Sequence, residues 1–405
     1  MRKLFVVFAA VAFAIAFSMP ALAKVHVGGV VFMDAYMHSA DKDHVTNGPT
    51  TFASGTNDWE QTEFEIPDIT RLFGKWTNDA GDVGMHIELG LGNANASQVQ
   101  NNSVRLRHAY GWWMISPGMK LVAGQTHNFM SPLNASQLLG WESGGLHVLG
   151  WGFGNIYSGR QPLVGLDMKL GDAYGLKVAL VEPRNATDIS NLSVPATYGW
   201  DGTTYTQLDP GDPGLGGNEE TTIPRLDAVL TMKFGPVALY PSISYVKAEF
   251  DETGAADSSY DITCYSLGVK YATGPFTATG EYNFGVNWKS STYLIRTWEV
   301  GPTMNGNTIE DTDNYGYWID LAYKTGPATI HAIYGSQGSE SWSAAGDIER
   351  ERTMYGVSVP ISVAEIFIIR PEYMVYDWGD IKTPGAADTN LGEETIAGVQ
   401  LQIKF

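Results

Sequence analysis

The side chains able to do chemistry are few and scattered. Eight histidines are spread along 405 residues, and none has the short spacing of a zinc site. His86 and His331 fall on the polar sides of alternating stretches, where they read as solvated wall residues rather than as a general base. The acidic runs Glu310-Asp311-Thr312-Asp313 and Asp209-Pro210-Gly211-Asp212 offer oxygen ligands of the kind calcium uses. They lack a spaced ligand set closed by a bidentate acid, so no metal or other cofactor is expected. There is no glycine-rich phosphate loop and no nucleophile elbow. The single cysteine, Cys264, excludes an intramolecular disulfide and reads as a small space-filling residue. No catalytic constellation assembles, and an enzyme is not expected.

What remains is electrostatics. The formal net charge is −19, which makes nucleic acid an implausible partner. The charge is sorted by location. Polar faces of alternating stretches hold Arg71, Lys75, Arg105, Arg107, Lys120, Lys169, Lys177, Arg225, Lys233, Lys270, Lys324, Arg370 and Lys404 against Glu88, Asp167, Asp227, Glu281, Asp320 and Glu372. The long connections are acidic: 184–222 sets Asp188, Asp201, Asp209, Asp212, Glu219 and Glu220 against Arg184. Base within and acid without is a field arrangement. Because the loop acids are the larger set, they tip the expected ion preference toward cations.

The elements that position these charges are strands. In 315–324, Tyr315, Tyr317, Ile319, Leu321 and Tyr323 oppose Gly316, Trp318, Asp320, Ala322 and Lys324, a period of two. The last stretch, 395–405, puts Val399, Leu401, Ile403 and Phe405 on one side and Gln400, Gln402 and Lys404 on the other. Aromatics gather at the ends of the apolar faces, as amphipathic rings do at lipid headgroups. Tight turns fall at 78–82, 116–118, 171–174, 235–236, 273–275, 325–327 and around 361–364. Long connections fall at 39–61, 93–102, 128–160, 184–222, 250–260, 291–314, 337–351 and 378–393. Seven turns and eight loops imply sixteen strands. The fold class expected is all-β: a transmembrane antiparallel up-and-down β-barrel. The last strand is expected to close the sheet against 25–36.

Residues 1–23 read as a cleaved signal peptide. Arg2 and Lys3 precede an apolar run over 4–17, and Ala21-Leu22-Ala23 is a small-residue cleavage site. Residues 24–405 then form one barrel domain with no other apolar run long enough for a membrane helix.

The connection 128–160 stands apart. It holds one acid, Glu142, and is rich in Gly and in Leu138, Leu139, Trp141, Trp151 and Phe153. Such a loop belongs against the interior of a wide barrel. With it, the export signal, the turn asymmetry, terminal Phe405, and the segments Arg107-His108-Ala109-Tyr110 and Gly124-Gln125, the chain resembles a Gram-negative outer-membrane porin of the sixteen-stranded general-diffusion class. The resemblance implies that the third loop folds inward and faces an arginine ladder. Carried over, the constriction comprises Glu142 opposite Arg71, Arg105 and Arg107, with Arg370 and Glu88 beside them. An alternative stays open, in which the arginines merely pair across strands with Glu88 and Glu372. The resemblance also implies an outer-membrane homotrimer with the loop 93–102 at the subunit contact. Small hydrophilic solutes would pass down their gradients through the lipid bilayer, and Phe405 would be read by the barrel-assembly machinery. The rivals are a solute-selective channel with an aromatic track of Trp113, Trp141, Trp151, Phe153 and Trp318, a barrel hydrolase, and an adhesive surface protein.

Overall fold

Alternation leaves alternate side chains on one face, while the backbone groups must find partners on neighbouring strands. A computed structural model describes residues 24–47, 57–67, 69–91, 104–139, 153–156, 159–182, 198–200, 205–207, 219–220, 223–250, 259–288, 302–305 and 308–405. It closes the strands into a ring of sixteen with antiparallel neighbours. The signal segment 1–23 and the loop 93–102 lie outside the described residues.

The strands are β1 (Lys24–Ala40), β2 (Trp59–Glu65 and Arg71–Thr77), β3 (Val83–Gly90), β4 (Arg105–Ser116), β5 (Met119–His127), β6 (Arg160–Lys169), β7 (Tyr174–Val181) and β8 (Arg225–Phe234). They continue as β9 (Val237–Phe250), β10 (Ser259–Thr273), β11 (Phe276–Val286), β12 (Asp313–Thr325), β13 (Ala328–Ser341), β14 (Ile348–Ser358 and Ile361–Ala364), β15 (Phe367–Asp377) and β16 (Glu393–Lys404). Each pairs with the next in sequence. No described helix is long and apolar enough to cross a membrane.

Two strands are broken where the ladder cannot continue. β2 is interrupted beside Pro67, which has no N–H to give. There Thr70 Oγ1 takes the Phe32 N–H at 3.1 Å in place of a ladder carbonyl. β14 is interrupted at Pro360 and resumes at Ile361. That corrects the position of the seventh turn: Ile361–Ala364 are strand, and the chain reverses at Glu365-Ile366. The connection expected over 337–351 is also shorter, because β13 runs through Ser341 and β14 begins at Ile348.

The seam closes as the last stretch anticipated, with a shifted register. β16 pairs with β1 from Val30↔Lys404 to Ala40↔Glu394. Phe405 completes it by exchanging two backbone hydrogen bonds with Gly29, at 3.0 and 3.1 Å.

Burial is inverted relative to a water-soluble protein. Met33, Leu267, Ile319, Leu321 and Ile403 are exposed on the outer face. Asp227, Glu281, Asn283, Asp320, Glu372 and Gln400 are buried inside. Outward rings contact one another across strands, as in the Tyr265–Phe284 stack with centroids 5.2 Å apart. An apolar band without and polar groups within suit lipid on one side and water on the other. Cys264 is fully buried with Met130, Ile156, Ile262 and Trp288 in an apolar cluster, which fits its space-filling reading.

Candidate functional site

The described parts of the connection after β5, 128–139 and 153–156, seat against the inner wall from β11 round to β1. Three buried wall carboxylates hold its backbone. Glu281 takes the Ser131 hydroxyl at 2.6 Å and the Leu133 N–H at 3.3 Å. Asp320 takes the Ser136 N–H at 2.9 Å. Glu372 takes the Leu138 N–H at 3.0 Å and the Leu139 N–H at 2.6 Å. Carbonyls of the loop are met in return: Arg370 donates to Ser136 O at 2.9 Å, and Gln400 donates to Leu138 O at 3.1 Å. Charge-assisted bonds of this kind are stronger than neutral ones and fix the loop backbone on the wall.

A second contact is made by bare backbone. A Cβ on Gly316 would lie 3.0 Å from the Gly154 Cα, and one on Gly335 would overlap the Phe153 carbonyl. Gly154 itself has a φ of 104°, a conformation favouring glycine. Glycines on β12 and β13 therefore let the loop main chain lie directly on the wall. Apolar side chains fill in around it: Ala135, Leu139 and Phe153 pack with Tyr36, Trp318, Met354, Met374, Tyr376 and Trp378.

The opposite wall is basic. The Arg71–Thr77 half of β2, together with β3, β4 and β5, carries one carboxylate, Glu88, against Arg71, Lys75, Arg105, Arg107 and Lys120. Glu88 is 7% exposed and is shared by two guanidiniums, Arg107 Nε at 2.9 Å and Arg71 Nε at 3.5 Å. Arg105 stands on the same level, since Gly90 pairs with both Arg71 and Arg105. The ladder is continued by Arg160 at the head of β6, which donates to His108 Nε2 at 3.1 Å. His108 stacks on His86 with ring centroids 5.5 Å apart. Below them Lys75 lies 5.4 Å over the Trp112 ring.

Arg71, Arg105, Arg107 and Glu88 are thus brought together as one patch. Arg370 is not part of it, being bound to the loop backbone on the far wall. Arg71 and Arg107 pair across strands with Glu88, whereas Glu372, the other acid expected to pair with an arginine, accepts from the loop backbone and Ser358. Trp141, Glu142 and Trp151 lie outside the described residues. Phe153 and Trp318 are 0% and 3% exposed, buried in the contact between loop and wall rather than lining open space.

Trp113 does not line the interior. It is 50% exposed on the outer face. A bulge where Glu88 and Leu89 face Leu106 to His108 inserts Arg107 as an extra residue and shifts the alternation of β4. Trp112 takes the inward place instead. Trp113→Ala should leave conductance and solute block unchanged within error in a planar bilayer, and a marked change would place the ring inside. Sequence reasoning also missed Arg160, because β6 begins one residue earlier than the loop boundary drawn at 160. Its basic type was the only signal, because its nearness to His108 arises only on folding.

A family model described as Gram-negative porin matches residues 9–360. An anion-selective porin from Comamonas acidovorans superposes with a TM-score of 0.58 at 12% identity, covering 95% of this chain and 100% of that one. OmpT expressed in the outer membrane of Vibrio cholerae gives 0.56 at 9%, covering 96% and 99%. Salmonella typhi OmpF in complex with daunomycin gives 0.52 at 11%, covering 95% and 98%. No curated protein matches the sequence. At these identities the solved structures speak for the fold alone.

Proposed function

From the premise that this chain belongs to the Gram-negative porin family, we propose that its solute path runs between the arginine wall and the seated loop. The chain is an outer-membrane channel through which small hydrophilic solutes and ions diffuse passively. The observation that carries the path is the division of the interior. One wall is covered by loop 128–139 and 153–156, with its acids bound. The other presents Arg71, Arg105, Arg107 and Arg160 around Glu88.

That division bears on selectivity. The sequence leaned to cations through its loop acids, but charge at the narrowest part weighs most, because low-dielectric walls focus the field there. Glu281, Asp320 and Glu372 are engaged by loop donors. Those acids are buried under the loop while the arginines border the path, so the passage is read as anion-preferring, with water and polar solutes oriented by the arginines. A linear current–voltage relation in a planar bilayer, with a reversal potential of the anion sign in a salt gradient, tests this. A solute-selective aromatic track gains no support, since Trp113 faces outward and Phe153 and Trp318 are covered. No reaction is proposed for the barrel.

Three further readings rest on the family and on local features. Cleavage after Ala23 would release a chain starting at the first residue of β1. Assembly as a homotrimer, with part of the outer wall and the loop 93–102 at the contact, would follow the family pattern. Phe405, 64% exposed on the outer face while its backbone closes the seam, is well placed to be read by the barrel-assembly machinery. Deleting Phe405 should lower assembled protein in the outer membrane severalfold while the channels that do assemble conduct normally. Wild-type membrane levels of the truncated chain would refute that role.

A further inference from the structure

Beneath the loop, on the short-turn side of the basic wall, lies a cavity of about 410 Å³ that the arginine patch does not line. Its chemistry is mixed in a particular way. The floor is apolar, made by Val122, Val229, Phe129 and the Tyr110 ring. Val122 and Val229, 6% and 3% exposed, back the floor, and the half-buried Phe129 and Tyr110 rings present its surface. Phe129 is pressed against the wall, since a Cβ on Gly165 would meet its ring at 2.7 Å. At one side stand two ammonium groups and one carboxylate. Lys120 Nζ is 3.1 Å and Lys177 Nζ 3.7 Å from the same Asp167 oxygen, and Lys177 also lies 5.5 Å over the Phe129 ring.

Two cations sharing one acid leave a net positive charge, and the lysine side chains are 35% and 42% exposed, so a solute in the lumen can reach them. Thr126, His127, Asn128 and Thr231 complete a lining that is about half polar, and a concave site with ring surface beside convergent polar groups suits a small amphiphilic ligand. We propose that this cavity is a subsite for small aromatic monocarboxylates, with the ring on the Val122–Phe129–Tyr110 floor and the carboxylate at Lys120 and Lys177. A neutral sugar would leave the lysines without a counter-charge. An inorganic anion would leave the apolar floor in water. An organic cation would meet two ammonium groups.

The inference rests on the channel reading above and places within that channel a step of weak binding on the path. Such a site must hold its solute loosely enough to release it, so the sign of occupancy is saturation of flux rather than tight retention.

The test uses the full-length protein in planar bilayers and compares benzoate with acetate, two monocarboxylates that differ by the ring. In the wild type, benzoate permeability relative to acetate should exceed the ratio of their free diffusion coefficients. Benzoate current should saturate with concentration while acetate current stays linear. Lys120→Gln/Lys177→Gln should abolish the saturation. Phe129→Ala should lower the benzoate-to-acetate ratio while leaving acetate flux in place. The combined loss should be about tenfold, the size of an exposed ion pair plus a ring contact. Retained β-sheet circular dichroism and acetate flux show that each variant has folded. A wild-type benzoate-to-acetate ratio equal to free diffusion, with no saturation, overturns the subsite while the channel stands. So does a benzoate response unchanged in both variants. A wild type that passes neither acetate nor chloride overturns the channel reading and the subsite together.

Discussion

Replacing Arg71 and Arg107 together by glutamine is expected to remove most of the anion preference of the channel. Both guanidiniums border the same carboxylate, Glu88, at 3.5 and 2.9 Å. Their loss withdraws two positive charges and uncovers a negative one. A unit charge about 5 Å from a passing ion contributes roughly 3 kcal/mol at an effective dielectric of 20, and salt near 0.1 M screens part of it. A fall of about tenfold in the anion-to-cation permeability ratio at low salt, shrinking toward 1 M, is the consequence. Glu88→Gln should move the ratio the other way. The double variant also leaves Glu88 buried without its ion pairs, so a drop in stability accompanies the change in selectivity. If the permeability ratio of the double variant equals that of the wild type at low salt, the arginine patch does not face the ion path.

The second large effect concerns the loop seat. Glu372 is 4% exposed and accepts from Leu138 N, Leu139 N and the Ser358 hydroxyl, the last at 2.7 Å. Glu372→Ala leaves these donors without their acceptor, and each buried donor so stranded costs about 1–3 kcal/mol. Gly335→Val acts on the same loop from another side, driving a side chain into the Phe153 carbonyl. Either change should lift the loop from β12–β15, giving larger single-channel currents, frequent flickering and a higher solute size limit in liposome swelling. Glu372→Gln keeps one accepting oxygen and should fall between. The two changes act on one seat, so their effects should not add. A steady current of wild-type amplitude in both variants would mean that the loop does not set the width of the path.

The barrel was legible because its signal is repetitive. A period of two recurs in strand after strand, and tight turns rich in Gly and Pro punctuate it on one side only. The misplaced turn near Ile361 has a local cause: Pro360 breaks a strand there instead of ending it. The site was legible in residue type and less so in position. Arg71, Arg105 and Glu88 share a wall because neighbouring strands keep their facing residues in register, and Arg107 joins them as the bulge residue. Trp113 and Trp112 exchange faces because a bulge adds a residue, and no residue type in the sequence marks it. Arg370 and Trp318 follow the expected inward direction, yet the loop covers them and buries its own Phe153, and this depends on contacts of 128–139 and 153–156 with strands more than a hundred residues later. The same long-range contacts turned Glu281, Asp320 and Glu372 from expected lumen charges into acceptors for the loop backbone.

The reversal potential of the wild-type channel in a tenfold potassium chloride gradient tests the account most directly. A basic waist facing a loop with bound acids predicts a potential of the chloride sign, decreasing in magnitude as the mean salt concentration is raised. A potential of the potassium sign at low salt would contradict it, and would give control of the passage to the acidic loops.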